Sequence, residues 1–103
     1  SDWPVTSPVP MEGIGVAITR QTDEEFPPEG WVPSERLTLD EALTAYTMGS
    51  AVQANESHLW GDLSIGKRAD IAVLNSDIHS LAPMQVRRAK VVGTWLGGVR
   101  VFG

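Results

Sequence analysis

GDLSIGKRADIAVL, Gly61 to Leu74, is the stretch of this 103-residue chain on which the reading of its fold turns. Gly61 and Gly66 permit tight turns at the two ends of a short segment. Leu59–Leu63 reads as a short strand, and Ile65-Gly66-Lys67 as a turn. Lys67 and Arg68 then occupy a solvated connection. Asp70 is short and polar, suited to closing a turn before the next element. That element, Ile71–Leu74, is a continuous apolar run of strand length and is expected to be a buried strand.

Toward the C-terminus the β reading continues. Asn75–Ser80 is polar, and Pro83–Arg88 suits a single helical turn. Val91–Leu96 is rich in β-branched and aromatic residues. Gly97-Gly98 then supplies the positive φ that a two-residue hairpin turn demands, and Val99–Phe102 returns with alternating polarity. Trp60 and Trp95 belong to this portion and read as core or interface residues.

Toward the N-terminus the pattern is helical. Thr38 and Glu41 form S/T-x-x-E, a capping box in which each side chain satisfies the other's backbone N–H. Leu39, Ala42, Leu43 and Tyr46 line one face behind it. Met48-Gly49-Ser50 interrupts that stripe, which predicts a second short helix over Ala51–Asn55 with Ser50 as its cap. Residues 22–37, TDEEFPPEGWVPSERL, read as a surface loop holding three prolines and six charged residues around Phe26 and Trp31. Met11, Ile14, Ala17 and Ile18 fall at helical spacing, with Pro10 at the first helical position, where a missing N–H does no harm. The first ten residues, SDWPVTSPVP, carry three prolines and are expected to be an extended, ordered loop.

Length suits one domain, able to bury about 65% of its unfolded surface. The hydrophobic fraction is 42%, near the globular norm of roughly 45–50%. Eight basic residues face thirteen acidic ones, a net charge of −5. That balance disfavours nucleic acid and anionic membrane as partners, since both require a cationic patch. The chain has no cysteine, which removes disulfides, thiolate metal sites and a cysteine nucleophile. No apolar run approaches the roughly 20 residues of a membrane span, and none resembles a signal peptide. A cytoplasmic location is the expectation. Helices, long loops and a few late strands make an unbalanced set for a self-sufficient fold.

The Gly61–Leu74 pattern resembles the carboxy-terminal signature of the amidohydrolase superfamily. RLTLDEALTAYT, Arg36 to Thr47, is similar to the helices after the last barrel strand of such enzymes. VVGTWLGGVRVF, Val91 to Phe102, resembles their closing hairpin, where Leu96, Gly98 and Val101 take the places of V-x-G-x-x-V. Ser1–Val5, SDWPV, matches the S-D-x-P-V at the end of barrel strand eight, in the branch of N-substituted formamide deformylases and proteins labelled exoenzyme regulators. The resemblance covers essentially the whole chain. It implies the C-terminal segment of a metal-dependent amidohydrolase acting on a non-peptide C–N bond. The fold it implies is an α+β piece: residues 1–57 ending a TIM-type barrel, and residues 58–103 forming part of a small antiparallel β domain.

The same resemblance implies that Asp2 is the active-site aspartate. It would bind or adjoin a divalent metal, zinc above all, take a proton from the attacking water and pass it to the leaving amine. Trp3 would line the substrate pocket. Such a site also needs an H-x-H pair, a bridging lysine and further histidines, whereas His58 and His79 stand in unrelated contexts. One aspartate rarely holds a metal, so the chain alone is expected to be inactive and metal-free. Read without the resemblance, Asp2 is a solvated turn residue, and His58 has no partner at metal spacing. His79 is a loop residue with Asp77 as an acid–base partner if it has one. Arg87, Arg88 and Lys90 form a solvated basic cluster. The expected partner is a small amide substrate, with self-association through exposed strand edges. The alternative is a non-catalytic binding or regulatory module derived from such an enzyme.

Overall fold

A computed structural model describes residues 2–103, which divide into two units: residues 2–43 with 77–89, and residues 44–76 with 90–103.

In the first unit, α1 spans Pro10–Thr19, with Pro10 at its first position as the sequence predicts. Glu12 sits in the first turn, where the helix dipole favours an anion. The helix stops at Arg20, whose left-handed backbone (φ 59°, ψ 31°) lets its N–H reach the Val16 carbonyl at 2.7 Å. Met11, Ile14, Gly15 and Thr19 are buried, while Ala17 and Ile18 of the stripe read from the sequence are only half-buried, so the core face is rotated toward Gly15 and Thr19. The buried Thr19 hydroxyl donates to the Gly15 carbonyl at 2.8 Å.

α1 packs against α4, Pro83–Val86, whose Val86 is 1% exposed. Gly15 permits that approach. A Cβ built on it would lie 2.3 Å from the Arg87 Cβ, closer than two carbons can come.

α2 spans Leu39–Thr44 and begins as the sequence predicts. The Thr38 N–H donates to Glu41 Oε2 at 2.8 Å, and the Glu41 N–H donates to Thr38 Oγ1 at 3.2 Å. Thr38→Ala removes half of this exchange and is expected to destabilise the chain by about 1 kcal/mol, read as a lower urea midpoint at unchanged slope.

In the second unit, a π-helical turn spans Ala45–Gly49 and α3 spans Ser50–Gln53. The predicted break at Met48–Ser50, with Ser50 capping a new helix, is corrected. Gly49 stays helical at φ −59°, and the Ser50 hydroxyl donates back to the Ala45 carbonyl at 3.3 Å. The wider turn absorbs the residue that spoils the α pattern, so the backbone has no need to stop.

The predicted strand at Leu59–Leu63 is also corrected, because the segment is a series of turns. The Leu59 and Trp60 N–H groups both donate to the Glu56 carbonyl, and Gly61 takes φ +113°. Trp60 adds its own tie, Nε1 donating to Glu56 Oε2 at 2.6 Å. These local bonds use the donors that a strand ladder would need.

β1 spans Ile71–Leu74, β2 Val91–Leu96 and β3 Val99–Phe102, all antiparallel in the order β1-β2-β3. Leu96 pairs with Val99 across Gly97-Gly98, whose φ values of 57° and 82° are both positive. The hairpin is therefore the one the sequence predicts. Asp70 anchors it: its carboxylate accepts the Gly97 N–H at 2.8 Å, and the Gly98 N–H donates to the Ala69 carbonyl at 2.9 Å. Burial differs from expectation. Ala72 and Val73 of β1 are exposed, as is every residue of β3.

Asp62 orders the turn before this sheet. Its carboxylate accepts from Lys67 Nζ at 2.8 Å and from the Ser64 N–H at 2.9 Å. The lysine first, and then that N–H, pull its pKa down to about 2. A depressed acid contributes stability above its unfolded value, which is lost as pH falls through the folded one. The turn is thus expected to hold at pH 4 and to loosen through about pH 2, which a Ser64 amide titration by NMR would follow.

No helix among the described residues is long and apolar enough to cross a membrane.

Candidate active-site turn and its surroundings

Asp2 lies in the first unit, exposed, in a left-handed backbone conformation (φ 51°) that aspartate tolerates. The Trp3–Pro4 peptide is cis, and the Val5 N–H donates to the Asp2 carbonyl at 2.9 Å, closing the turn. Trp3 is 68% exposed. Ser7 then steadies the approach to α1, its hydroxyl accepting the Val9 N–H at 3.2 Å. A stiff turn thus presents a carboxylate outside the helix start.

Beyond α1, residues 22–37 form the surface loop the sequence predicts, tied down by hydrogen bonds from its leading residues. Gln21 is its hub: Nε2 is within hydrogen-bond reach of the Glu25, Pro27 and Pro28 carbonyls, at 3.1, 3.1 and 2.9 Å. Arg20 and Trp31 are joined by a backbone bond of 2.8 Å, by Arg20 Nε to the Trp31 carbonyl at 2.9 Å, and by the guanidinium lying over the indole. Phe26 and Trp31 remain 64% and 68% exposed.

Arg87 is not the solvated cation expected from the sequence. Its side chain is only 9% exposed, and Nη2 lies 2.6 Å from Asp23 Oδ1. Nη1 donates to the Thr22 and Gln21 carbonyls at 2.9 and 3.3 Å. Three acceptors offset the burial of the charge. Arg88 and Lys90 are exposed. Their neighbour turns inward because its place after α4 aims it at the end of α1.

His79 has a partner that sequence reading misses. Its Nε2 lies 2.9 Å from Asp40 Oδ1, while Nδ1 is 3.8 Å from Asp77 Oδ1. Asp77 instead accepts the His79 backbone N–H at 3.1 Å, capping the short 3₁₀ turn Ile78–Ser80. All three side chains are well exposed. The pair borders a cleft of about 340 Å³ with an aliphatic floor that includes Ile18, Leu39 and Leu81. A second cleft of about 580 Å³ shares Ile18 and Pro83 with it and is bordered by Arg36 and Arg88.

Among the described residues, no three His, Cys, Asp or Glu side chains gather where a metal ion could be held. Asp2 offers a single carboxylate, which does not make a zinc site, since such a site needs three or four protein ligands. The described residues therefore do not fit a metal centre of their own.

The match that decides the family runs over residues 1–102, nearly the whole chain, against the amidohydrolase family. The chain belongs to the amidohydrolase family. This amidohydrolase chain is 35% identical over 105 residues to Protein LONG AFTER FAR-RED 3 of Arabidopsis thaliana, covering 99% of this chain and 17% of that protein. It is 34% identical over 99 residues to an N-substituted formamide deformylase of Arthrobacter pascens, covering 96% and 18%. It is 30% identical over 102 residues to the putative amidohydrolase YtcJ of Bacillus subtilis, covering 99% and 19%. The amidohydrolase chain thus spans about a fifth of the length of these curated relatives. No solved structure matches it.

Proposed function

We propose that this chain is part of an amidohydrolase that hydrolyses a non-peptide C–N bond of a small amide, with Asp2 as its proton carrier. The observation that carries the reading is the Asp2–Val5 turn. It holds an exposed carboxylate on a hydrogen-bonded loop, within a segment that the family match covers. A carboxylate there can take a proton from an attacking water and deliver it to the departing amine nitrogen. Trp3, largely exposed beside it, would supply an apolar wall for the substrate. In the longer protein, residues 1–57 would finish a TIM-type barrel, and residues 58–103 would form part of a small β domain.

The cofactor proposed for that longer protein is a divalent metal, zinc first, with Asp2 as one of the groups at its site. The described residues assemble no such site, so the remaining ligands would come from other segments of the longer protein. The proposed setting is the cytoplasm. Copies of the chain would associate through the open edge of β3, and neither nucleic acid nor membrane would be a partner.

The test is amine release. The longer reading frame, expressed with zinc, is expected to free a primary amine from N-substituted formamides, the substrate class in the name of the Arthrobacter relative. Silence toward formamides, linear amides and cyclic amides alike would shift the reading to a binding or regulatory module. The name of the Arabidopsis relative, which states no reaction, keeps that second reading in view.

A further inference from the structure

The larger cleft of the first unit gathers cations that no carboxylate claims. It is about 580 Å³ in volume and is bordered by Arg36, Arg88, Gln85, Glu25, Ile18 and Met84, among others. Asp23, Glu24, Glu25, Glu29 and Glu35 make the 20–37 segment acidic, yet among the described residues no ion pair joins any of them to Arg36 or Arg88. Arg20 and Arg87 take up partners nearby, on Trp31 and Asp23. Arg36 directs one Nη2 donor to the Glu29 backbone carbonyl, a neutral acceptor. The Gln85 oxygen accepts the Ala82 N–H at 3.3 Å, which leaves its Nε2 donors for another acceptor.

We infer that this cleft is a binding site for a small monocarboxylate with an apolar body. The charge decides the class. Two guanidiniums set against the Glu25 carboxylate leave one net positive charge among these residues, which matches a monoanion better than a phosphate dianion. Glu24, Glu29 and Glu35 do not line the cleft, and their exposed carboxylates face water and salt, which weaken their field. Geometry adds to charge. A planar guanidinium presents paired N–H groups to a carboxylate, so Arg88 supplies a fork that lysine cannot. Ile18 and Met84 offer an aliphatic wall to the ligand's hydrocarbon part. The inference rests on the cleft alone and holds whether or not the longer protein cleaves amides.

The 103-residue chain itself serves for the test. Sodium hexanoate is titrated into the ¹⁵N-labelled chain at fixed ionic strength, with hexan-1-ol, hexylammonium chloride and inorganic phosphate as separate arms. Hexanoate is expected to shift the amides of Ile18 and Met84–Arg88 saturably, with a Kd on the order of 1 mM. The other three probes are expected to produce no saturable shift there. Arg88→Gln is expected to weaken hexanoate about tenfold, the loss of one charge-assisted fork. Arg88→Lys, which keeps the charge but not the fork, is expected to fall between. Arg88 is exposed and, among the described residues, no hydrogen bond or ion pair engages its side chain, so both variants should keep the remaining amide spectrum of the parent. Shifts that stay linear, phosphate or hexanol saturating as hexanoate does, or an Arg88→Gln chain that binds hexanoate like the parent would each overturn the site.

Discussion

Asp2→Asn in the longer enzyme is expected to lower kcat by about 10² to 10⁴ with little change in KM. That is the span that loss of a positioned acid–base group produces. Each factor of ten is about 1.4 kcal/mol of barrier, so the loss corresponds to roughly 3–5 kcal/mol. Asparagine is the informative replacement. It matches aspartate in shape and tolerates the left-handed backbone found at this position (φ 51°), so the Asp2–Val5 turn should survive. What disappears is the ability to accept and return a proton. Amine release from a formamide substrate measures the rate. Asp2→Glu keeps the proton but moves it by one methylene, and should recover part of the rate. An asparagine variant as fast as the parent would remove Asp2 from the chemistry.

The second large effect concerns stability. In an ordinary exposed helix, Gly→Ala is worth about 1 kcal/mol in the favourable direction. At Gly15 the sign is expected to reverse. The new methyl would sit 2.3 Å from the Arg87 Cβ and 3.2 Å from its Cα. Backbone-proximal atoms cannot swing aside as the tip of a long side chain can. α1 and α4 would have to separate, and with them the buried guanidinium contacts to Asp23, Gln21 and Thr22. Overpacking of this kind costs about 1–3 kcal/mol, and disturbing a buried charge adds to it. A net loss of about 3 kcal/mol is therefore expected, read from urea unfolding. Arg87→Ala in the Gly15→Ala background should recover little, because it keeps the clashing Cβ and strips the Gln21 and Thr22 carbonyls of their donor.

What the sequence made legible shares one property, short range. The capping box couples Thr38 to Glu41, three residues apart. The hairpin needs only Gly97-Gly98 between two β-rich runs. Pro10 starts α1 because its own ring dictates φ. The family signature is local too, a fixed spacing of glycines, lysine and aspartate. The misreadings were also local, but each hinged on a competitor that composition does not rank. Leu59–Leu63 has a strand's apolar content, yet the Glu56 carbonyl captures its first two N–H groups. Gly49 looks like a break, yet a π turn carries the helix through it.

The candidate site divides along the same line. Asp2 and Trp3 could be named from SDWPV alone. The Asp40–His79 pair spans 39 residues, and the Arg87–Asp23 pair spans 64. No spacing rule reaches that far, so one basic cluster concealed a buried arginine and two exposed cations. By itself the sequence determined the start of α1, the capping box of α2, the closing hairpin and the family, because propensity, capping and turn chemistry act within a few residues. Only the tertiary structure decided which arginine is buried, which glycine admits a neighbouring helix and which carboxylate meets His79. Those outcomes follow from packing distant segments together, where excluded volume and the desolvation of charge choose among partners that a linear pattern leaves equivalent.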